Sequence, residues 1–464
     1  MAVMSEAISR YRVCMSRRLS PPAGRGFGRF GSPHLMPPDD AGVLRPILRS
    51  SGRVDLDVNL SRKQLFTMFG ALYFVQGVIQ AYQLNFFKPH MDEEGIDPDR
   101  IAIVASLALL PFVIKWLYGL ISDKYNLFGR GHRVPYMAIG VISTSIAFAV
   151  AFFIDPSESF GVLAAMVLIA TFFMALFDTT ADALAVDVVV PDDHSTVQAW
   201  MTGGRAVGVV AVSIVFGWIA DAVGYQSIFL VIAGLLLLPL WWVGRVQEPA
   251  ERTPAHTFDR RAFRVLLQPR YLVFCLFLIL AWFFFQGIDG LVTYYMSDTL
   301  DSSAGRIGLY GTLKGVGMVV GAVGLSTLVH MFGRRIAATV TLTAVALGGL
   351  MFSTIETESA VIGVAVIWGI AVGLQWTTYV TLGMGITDTR IAASMFAILQ
   401  TMSNIGIGGG DGVATALSDN VGFPSLFRIF GVGSLVLIPL LFWVTGKFKE
   451  VWERETTDAI IGAG

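Results

Sequence analysis

Charge is what this sequence has least of. Of its 464 residues only 14% are Asp, Glu, Lys or Arg, against about 25% in an ordinary soluble domain. Acidic and basic residues nearly cancel, 34 against 33, so no global field favours nucleic acid or an acidic partner. Cysteine is almost absent. Cys14 near the start and Cys275 inside an apolar run leave no disulfide framework and no metal-type spacing. The six histidines (His34, His90, His132, His194, His256, His330) fall outside the long apolar runs, which argues against a histidine metal site or proton relay within a membrane. No G-x-x-x-x-G-K-[ST] run occurs, so direct ATP coupling through that motif is not expected. Neither a metal nor a cofactor is expected.

Apolar residues fill the space that charge leaves, at 54% of the chain. A bilayer-spanning helix takes about 20 residues. Runs of that length occur at 66–87, 101–121, 135–154, 160–188, 197–220 and 226–244, then at 271–296, 305–329, 336–355, 359–386, 392–417 and 423–445. The chain reads as an all-α integral multi-pass membrane protein with twelve transmembrane helices, and not as an enzyme. It divides into a six-helix bundle over 63–244, a basic linker over 245–270 and a second six-helix bundle over 271–446. A cytoplasmic C-terminal tail, 447–464, follows.

Residues 1–62 hold ten arginines and little apolar periodicity, and read as a disordered basic cytoplasmic tail. The same Arg-rich, acid-poor composition fits an organelle transit segment, and a start nearer Met36 is a third reading.

Lys and Arg are retained on the cytoplasmic side of membrane proteins. Alternate loops carry Lys124, Arg130 and Arg133, the linker arginines, Arg334 and Arg335, and Arg390. The intervening loops carry Asp92, Glu93 and Glu94, Asp155 and Glu158, Asp298 and Asp301, and Glu356 and Glu358. Both termini are therefore expected in the cytoplasm, in the cell membrane or alternatively an organelle membrane. Phe128-Gly129-Arg130 after the second run recurs as Phe332-Gly333-Arg334 after the eighth. Two parallel halves with a basic loop at the same place in each describe a major facilitator fold.

An ionisable side chain inside a span costs a few kcal/mol on insertion scales, so each needs a reason. At a 1.5 Å rise per residue, Lys115, Asp178 and Arg205 each lie roughly 12 Å in from the basic end of their helices. Asp182 follows Asp178 by four residues and shares its helix face. One reading of Arg205 is a structural pair with Asp178; the other is a site where Asp178 and Asp182 exchange a proton while Lys115 and Arg205 meet an anionic group. In the second half Asp289, Lys314 and Asp411 form an outer-side charge network that serves as a gate or a binding site. Uncharged polar candidates for the cavity are Gln76, Gln80 and Gln83, Gln286 and Tyr294, and Gln375 and Tyr379. Gly408-Gly409-Gly410-Asp411 satisfies the G-x-G-D pattern of intramembrane aspartyl proteases. That chemistry needs a second aspartate on a facing helix, and the accompanying tyrosine–aspartate motif is missing. A glycine-rich packing surface is the better reading.

From Tyr73-Phe74-Val75-Gln76-Gly77 the chain resembles the folate–biopterin transporter family of the major facilitator superfamily. The resemblance continues through Leu110-Pro111, Lys115, Leu117-Tyr118-Gly119-Leu120-Ile121-Ser122-Asp123 and Phe128-Gly129, with Arg133 and Tyr136. Asp178, Asp182 and Asp187 reproduce its acidic spacing, Gln198 its glutamine, and Phe396-Ala397-Ile398-Leu399 with Ser403-Asn404-Ile405-Gly406 its eleventh span. Trp116 and Gly131-His132 depart from the pattern. Arg205 is more like muropeptide permeases, and Arg133-Val134-Pro135-Tyr136 is similar to bacteriochlorophyll-delivery proteins.

The resemblance implies a proton-coupled secondary transporter, a symporter, for a folate- or pterin-like organic anion. Asp178 and Asp182 would handle the proton. Gln76, Gln80, Lys115, Arg205, Gln286, Gln375 and Tyr379 would contact cargo. Gly119, Asp123, Arg130, Arg133, Asp289, Lys314 and Asp411 would control conformation, with Gly119 allowing close helix approach. The alternatives are a muropeptide or other glycoconjugate permease, and a non-transporting pigment-delivery or assembly factor. Small-molecule anion, protons and lipid bilayer are the expected partners of a monomer, without nucleic acid.

Overall fold

The computed structural model describes residues 60–189, 194–246, 267–384, 386 and 392–448. The N-terminal tail, most of the linker, Arg390, the side chains of Gln198, Phe396 and Ala397, and the C-terminal tail beyond 448 lie outside the described residues.

Every regular element described is helical. The N-terminal half comprises α1 (Arg62–Asn85), α2 (Phe87–Glu93), α3 (Pro98–Leu107), α4 (Leu110–Val113), α5 (Lys115–Lys124), α6 (Val134–Ala151), α7 (Pro156–Val188), α8 (His194–Val223), α9 (Ser227–Leu236) and α10 (Leu240–Val243). The C-terminal half comprises α11 (Pro269–Asp298), α12 (Ala304–Phe352), α13 (Glu358–Met384), α14 (Ala392–Ala416), α15 (Ser418–Val421) and α16 (Phe423–Lys447).

Ten helical segments among the described residues are long and apolar enough to cross a bilayer. The expected count of twelve is met only with two further segments. Ser227–Val243 is apolar but short, because it breaks before Pro239, whose nitrogen cannot donate. The α14 helix has the length, 25 residues, but dilutes its apolar character with Gln400, Asn404, five glycines and Asp411. The second span is itself broken into α3, α4 and α5 around Pro111. The repeated Phe-Gly-Arg strings have one conformation in common. Gly129 has φ +66° and Gly333 +80°, left-handed values that suit glycine and turn the chain sharply between successive spans.

Close packing of α1 against α8 places the first half's polar residues together. A Cβ on Gly204 would collide with the Gly70 carbonyl, and one on Gly77 with the Arg205 carbonyl. Small residues at such crossings are what membrane helices use to bring backbones together. Gly119 does not act this way in this conformation, since a Cβ there would meet nothing within 4 Å. The G-x-G-D string of α14 is a packing surface, with Gly410 against the Phe283 carbonyl of α11.

The histidines do not all sit at wet edges. His90 is fully buried although it lies outside the apolar runs, bonded to Tyr82 Oη at 2.8 Å and stacked on Tyr225 at 5.2 Å. Burial holds its pKa down at about 3, so it stays neutral. No group of three or more His, Cys, Asp or Glu among the described residues could hold a metal ion.

Candidate functional site

Four ionisable side chains from three helices converge inside the N-terminal half. Asp178 of α7 is at the centre. One of its oxygens accepts from Lys115 Nζ of α5, and the other accepts from Gln76 Nε2 of α1 at 2.6 Å. Arg205 of α8 donates from Nη2 to Gln76 Oε1 at 2.5 Å and stands 3.7 Å from Asp178 Oδ1. Gln76 is thus a relay between carboxylate and guanidinium, and both ends of its amide are occupied.

Asp182 sits one turn along α7 from Asp178, as a four-residue spacing requires. It accepts a short hydrogen bond from Tyr73 Oη and lies 3.7 Å from Lys115 Nζ. The Arg205 guanidinium stacks 4.6 Å above the Tyr73 ring, a cation–π contact that orients it. The two carboxylates differ in access. The Asp182 side chain keeps 44% of its exposure where Asp178 keeps 6%, and Lys115 and Arg205 keep 29% and 33%. With both carboxylates ionised the four charges sum to zero, and a single proton on either leaves a net positive site.

Nearer the basic end, Arg133 ties two spans together. It donates to Ser122 Oγ at 2.5 Å, to Asp123, and through Nε to Asp187 of α7 at 3.2 Å. Arg130, expected to share this task, is exposed and forms no ion pair among the described residues.

The second half does not contain the single charge network that the sequence suggested. Asp289 of α11 pairs with Lys314 of α12 at 3.2 Å and accepts from Trp368 Nε1 of α13 at 2.8 Å. Asp411 of α14 pairs instead with Lys88 of α2, at 2.7 Å, and Lys88 also donates to the Gly290 carbonyl at 2.6 Å. Lys88 belongs to the N-terminal half, so this bond crosses between halves. The sequence reading missed it because Lys88 sits in the loop-like string Phe87-Lys88-Pro89-His90, beyond the apolar run.

The amide candidates are placed unevenly. Gln80 is half-buried one turn from Gln76, and Gln286 is buried one turn before Asp289 and Gly290. Gln375 donates to the Ala281 carbonyl at 3.2 Å and is fully buried. Tyr379 is buried against Phe277 and Trp282. Gln76 therefore meets the charged cluster directly, whereas Gln375 and Tyr379 belong to an aromatic wall of the second half. Tyr73, quoted only as part of a motif, is a full member of the cluster.

The Major Facilitator Superfamily model matches residues 66–410, and again 291–459. The chain belongs to the Major Facilitator Superfamily. Within it the chain is 28% identical over 171 residues to the probable folate-biopterin transporter 9, chloroplastic, of Arabidopsis thaliana, which covers 36% of this chain and 31% of that one. The chain thus spans about a third of the length of that relative. The anhydromuropeptide permease of Escherichia coli is 23% identical over 347 residues, covering 72% of this chain and 70% of the permease. The crystal structure of the nucleoside transporter NupG superposes with a TM-score of 0.62 at 14% identity, over 83% of this chain and 98% of that one. That likeness is one of fold. Superfamily membership and the ten spanning-length apolar helices make the chain an integral multi-pass membrane protein of the major facilitator fold, and its sequence is similar to folate–biopterin transporters and an anhydromuropeptide permease.

Proposed function

We propose that this protein is a proton-coupled secondary transporter that moves a folate- or pterin-like organic anion by alternating access. The observation that carries the reading is the Lys115–Asp178–Gln76–Arg205 array with Asp182 beside it. A cation costs much to bury unless paired, and here two cations are balanced by two carboxylates of unequal exposure.

In this reading Asp182, the open carboxylate, takes the proton. Once it is neutral, Lys115 and Arg205 exceed Asp178 by one charge, and the carboxylate of the cargo restores the balance. Proton and anion then move together, and their release together resets the cluster. One proton moving with one anionic charge is electroneutral, so the driving force is the pH gradient, worth about 1.4 kcal/mol per pH unit. Gln76, bonded at both ends, supports the cations, and Gln80, one turn along α1, meets the heterocyclic edge. Arg133 with Asp123 and Asp187 holds the basic end of the first half in one arrangement. The basic end faces the cytoplasm, as retained Lys and Arg dictate, with both termini on that side.

The second reading is a muropeptide permease, favoured by the longer match to the Escherichia coli protein. One assay separates them. The purified protein in liposomes carrying an inward proton gradient is given radiolabelled folate, a reduced pterin or an anhydromuropeptide. Gradient-dependent uptake of the first two supports the proposal, uptake of the muropeptide alone transfers the cluster to the second reading, and equal uptake without a gradient removes the proton.

A further inference from the structure

Bonds between the two halves gather toward the acidic end of the bundle, and Lys88 makes two of them. Its ammonium group crosses from α2 to two acceptors on the other half, Asp411 Oδ1 at 2.7 Å and the Gly290 carbonyl at 2.6 Å. The side chains of Lys88 and Asp411 are only 7% and 12% exposed, so the pair is dry. Around it, Asp221 of α8 accepts from Gly305 N at 2.9 Å and Ser303 Oγ at 3.2 Å, capping the start of α12 in the opposite half. Thr293 Oγ1 reaches the Leu84 carbonyl at 3.5 Å. Position 290 has no room for a side chain, because a Cβ there would strike Asp411 Oδ1 and crowd Lys88 Nζ at 3.1 Å.

We propose that Lys88, Asp411 and the Gly290 carbonyl form a latch that closes the acidic end in this conformation and must part for that end to open. A buried pair contributes little net stability, yet removing one partner strands the other charge at heavy cost. The pair therefore acts on a conformational balance more than on folding. In the closed state both charges are satisfied inside the protein, and in the open state water satisfies them separately. Removing either partner strands a charge only in the closed state, so the population shifts toward open. Asp289 and Lys314 do not take this part, since their pair lies within one half and stays intact when the halves separate. The inference rests on the alternating-access element of the proposed function and needs neither the proton nor the cargo.

The test is cysteine accessibility in the full chain in liposomes. Cys14 and Cys275 are replaced by serine and Thr293→Cys is added as reporter, a position now 1% exposed at the seam. The probe is a membrane-impermeant maleimide. The reporter alone should label slowly, and Lys88→Gln, Asp411→Asn and Gly290→Ala should each raise the rate by about tenfold. The Lys88→Gln/Asp411→Asn double variant should label no faster than the faster single variant, because it leaves no charge stranded. Gly290→Ala keeps both charges and preserves the test if a charge variant does not fold. A reporter already reactive without these changes, unchanged labelling in Asp411→Asn and Gly290→Ala, or multiplicative rates in the double variant would overturn the latch. None of those results would touch the transport reading, which the gradient assay decides.

Discussion

Arg205 reaches Asp178 through Gln76 more closely than it does directly, donating to the amide oxygen at 2.5 Å while the two charged groups stand 3.7 Å apart. The amide's other end donates to Asp178 at 2.6 Å. A single uncharged residue therefore sets the spacing of opposite charges in the middle of a span.

Gln76→Ala should remove two charge-assisted hydrogen bonds, each of a kind worth about 1.5–3 kcal/mol. Uptake should fall by roughly a hundredfold while the protein remains foldable, because Lys115 still holds Asp178. Transport kinetics beside a thermal-unfolding curve in detergent check this, and near-normal uptake would show that the relay is dispensable.

Asp182→Asn should abolish the dependence of uptake on a proton gradient while leaving counterflow of labelled for unlabelled cargo. Asp178→Asn should impair both, because it leaves Lys115 and Arg205 without their shared partner. Gradient-driven uptake that survives in Asp182→Asn would remove this residue from proton coupling.

Arg133 and Arg130 should part company on substitution. Arg133→Ala loses bonds to Ser122, Asp123 and Asp187 and takes a donor from the buried Ser122 hydroxyl and the partly buried Asp187 carboxylate, so the melting temperature and the uptake rate should both drop. Arg130→Ala, on an exposed side chain, should match the parent within about 0.5 kcal/mol. Equal effects at the two positions would refute the division of labour.

Gly204→Ala should force α1 and α8 apart and destabilise by about 1–3 kcal/mol, the usual range for overpacking. Gly119→Ala, facing open space, should be silent in the same unfolding assay.

Asp92, in the short helix between the first two spans, gives a pH signature. Burial raises its carboxyl to about 6, assisted by Asp298, Asp419 and Glu93 and opposed by a hydrogen bond from Ser297. A raised acid pKa means that the folded state binds more protons than the unfolded state between about 4 and 6. Its stabilising share is complete below that window, falls as pH rises through it, and is lost above pH 6. Asp92→Asn should therefore equal the parent at pH 4 and exceed it above pH 6, by on the order of 1 kcal/mol after solvent screening. Unfolding midpoints measured across that range check the sign.

Much of this architecture was legible because a bilayer imposes its own arithmetic. Runs of about 20 apolar residues announce helices whatever their neighbours, and alternating loop charge orders them. Lys115, Asp178 and Arg205 were legible for a related reason, since charge inside a span stands out and helical rise places each at the same depth. Breaks within spans were not. Pro111 and Pro239 sit in strings that read as continuous runs, and the kink depends on how neighbours re-satisfy the freed backbone.

By itself the sequence determined the helical class, the membrane, the pseudo-repeat marked by Gly129 and Gly333, and the common level of Lys115, Asp178 and Arg205 along their helices, because each follows from composition or from spacing along one helix. Only the tertiary structure decided who pairs with whom. It gave Asp411 to Lys88 and not to Lys314, set Gln76 between Asp178 and Arg205, brought in Tyr73, and left Arg130 and Gly119 facing open space. Hydrogen bonds reach about 3 Å, while helical periodicity fixes only the face of a residue, and the choice among facing partners belongs to the packing of helices far apart in the chain.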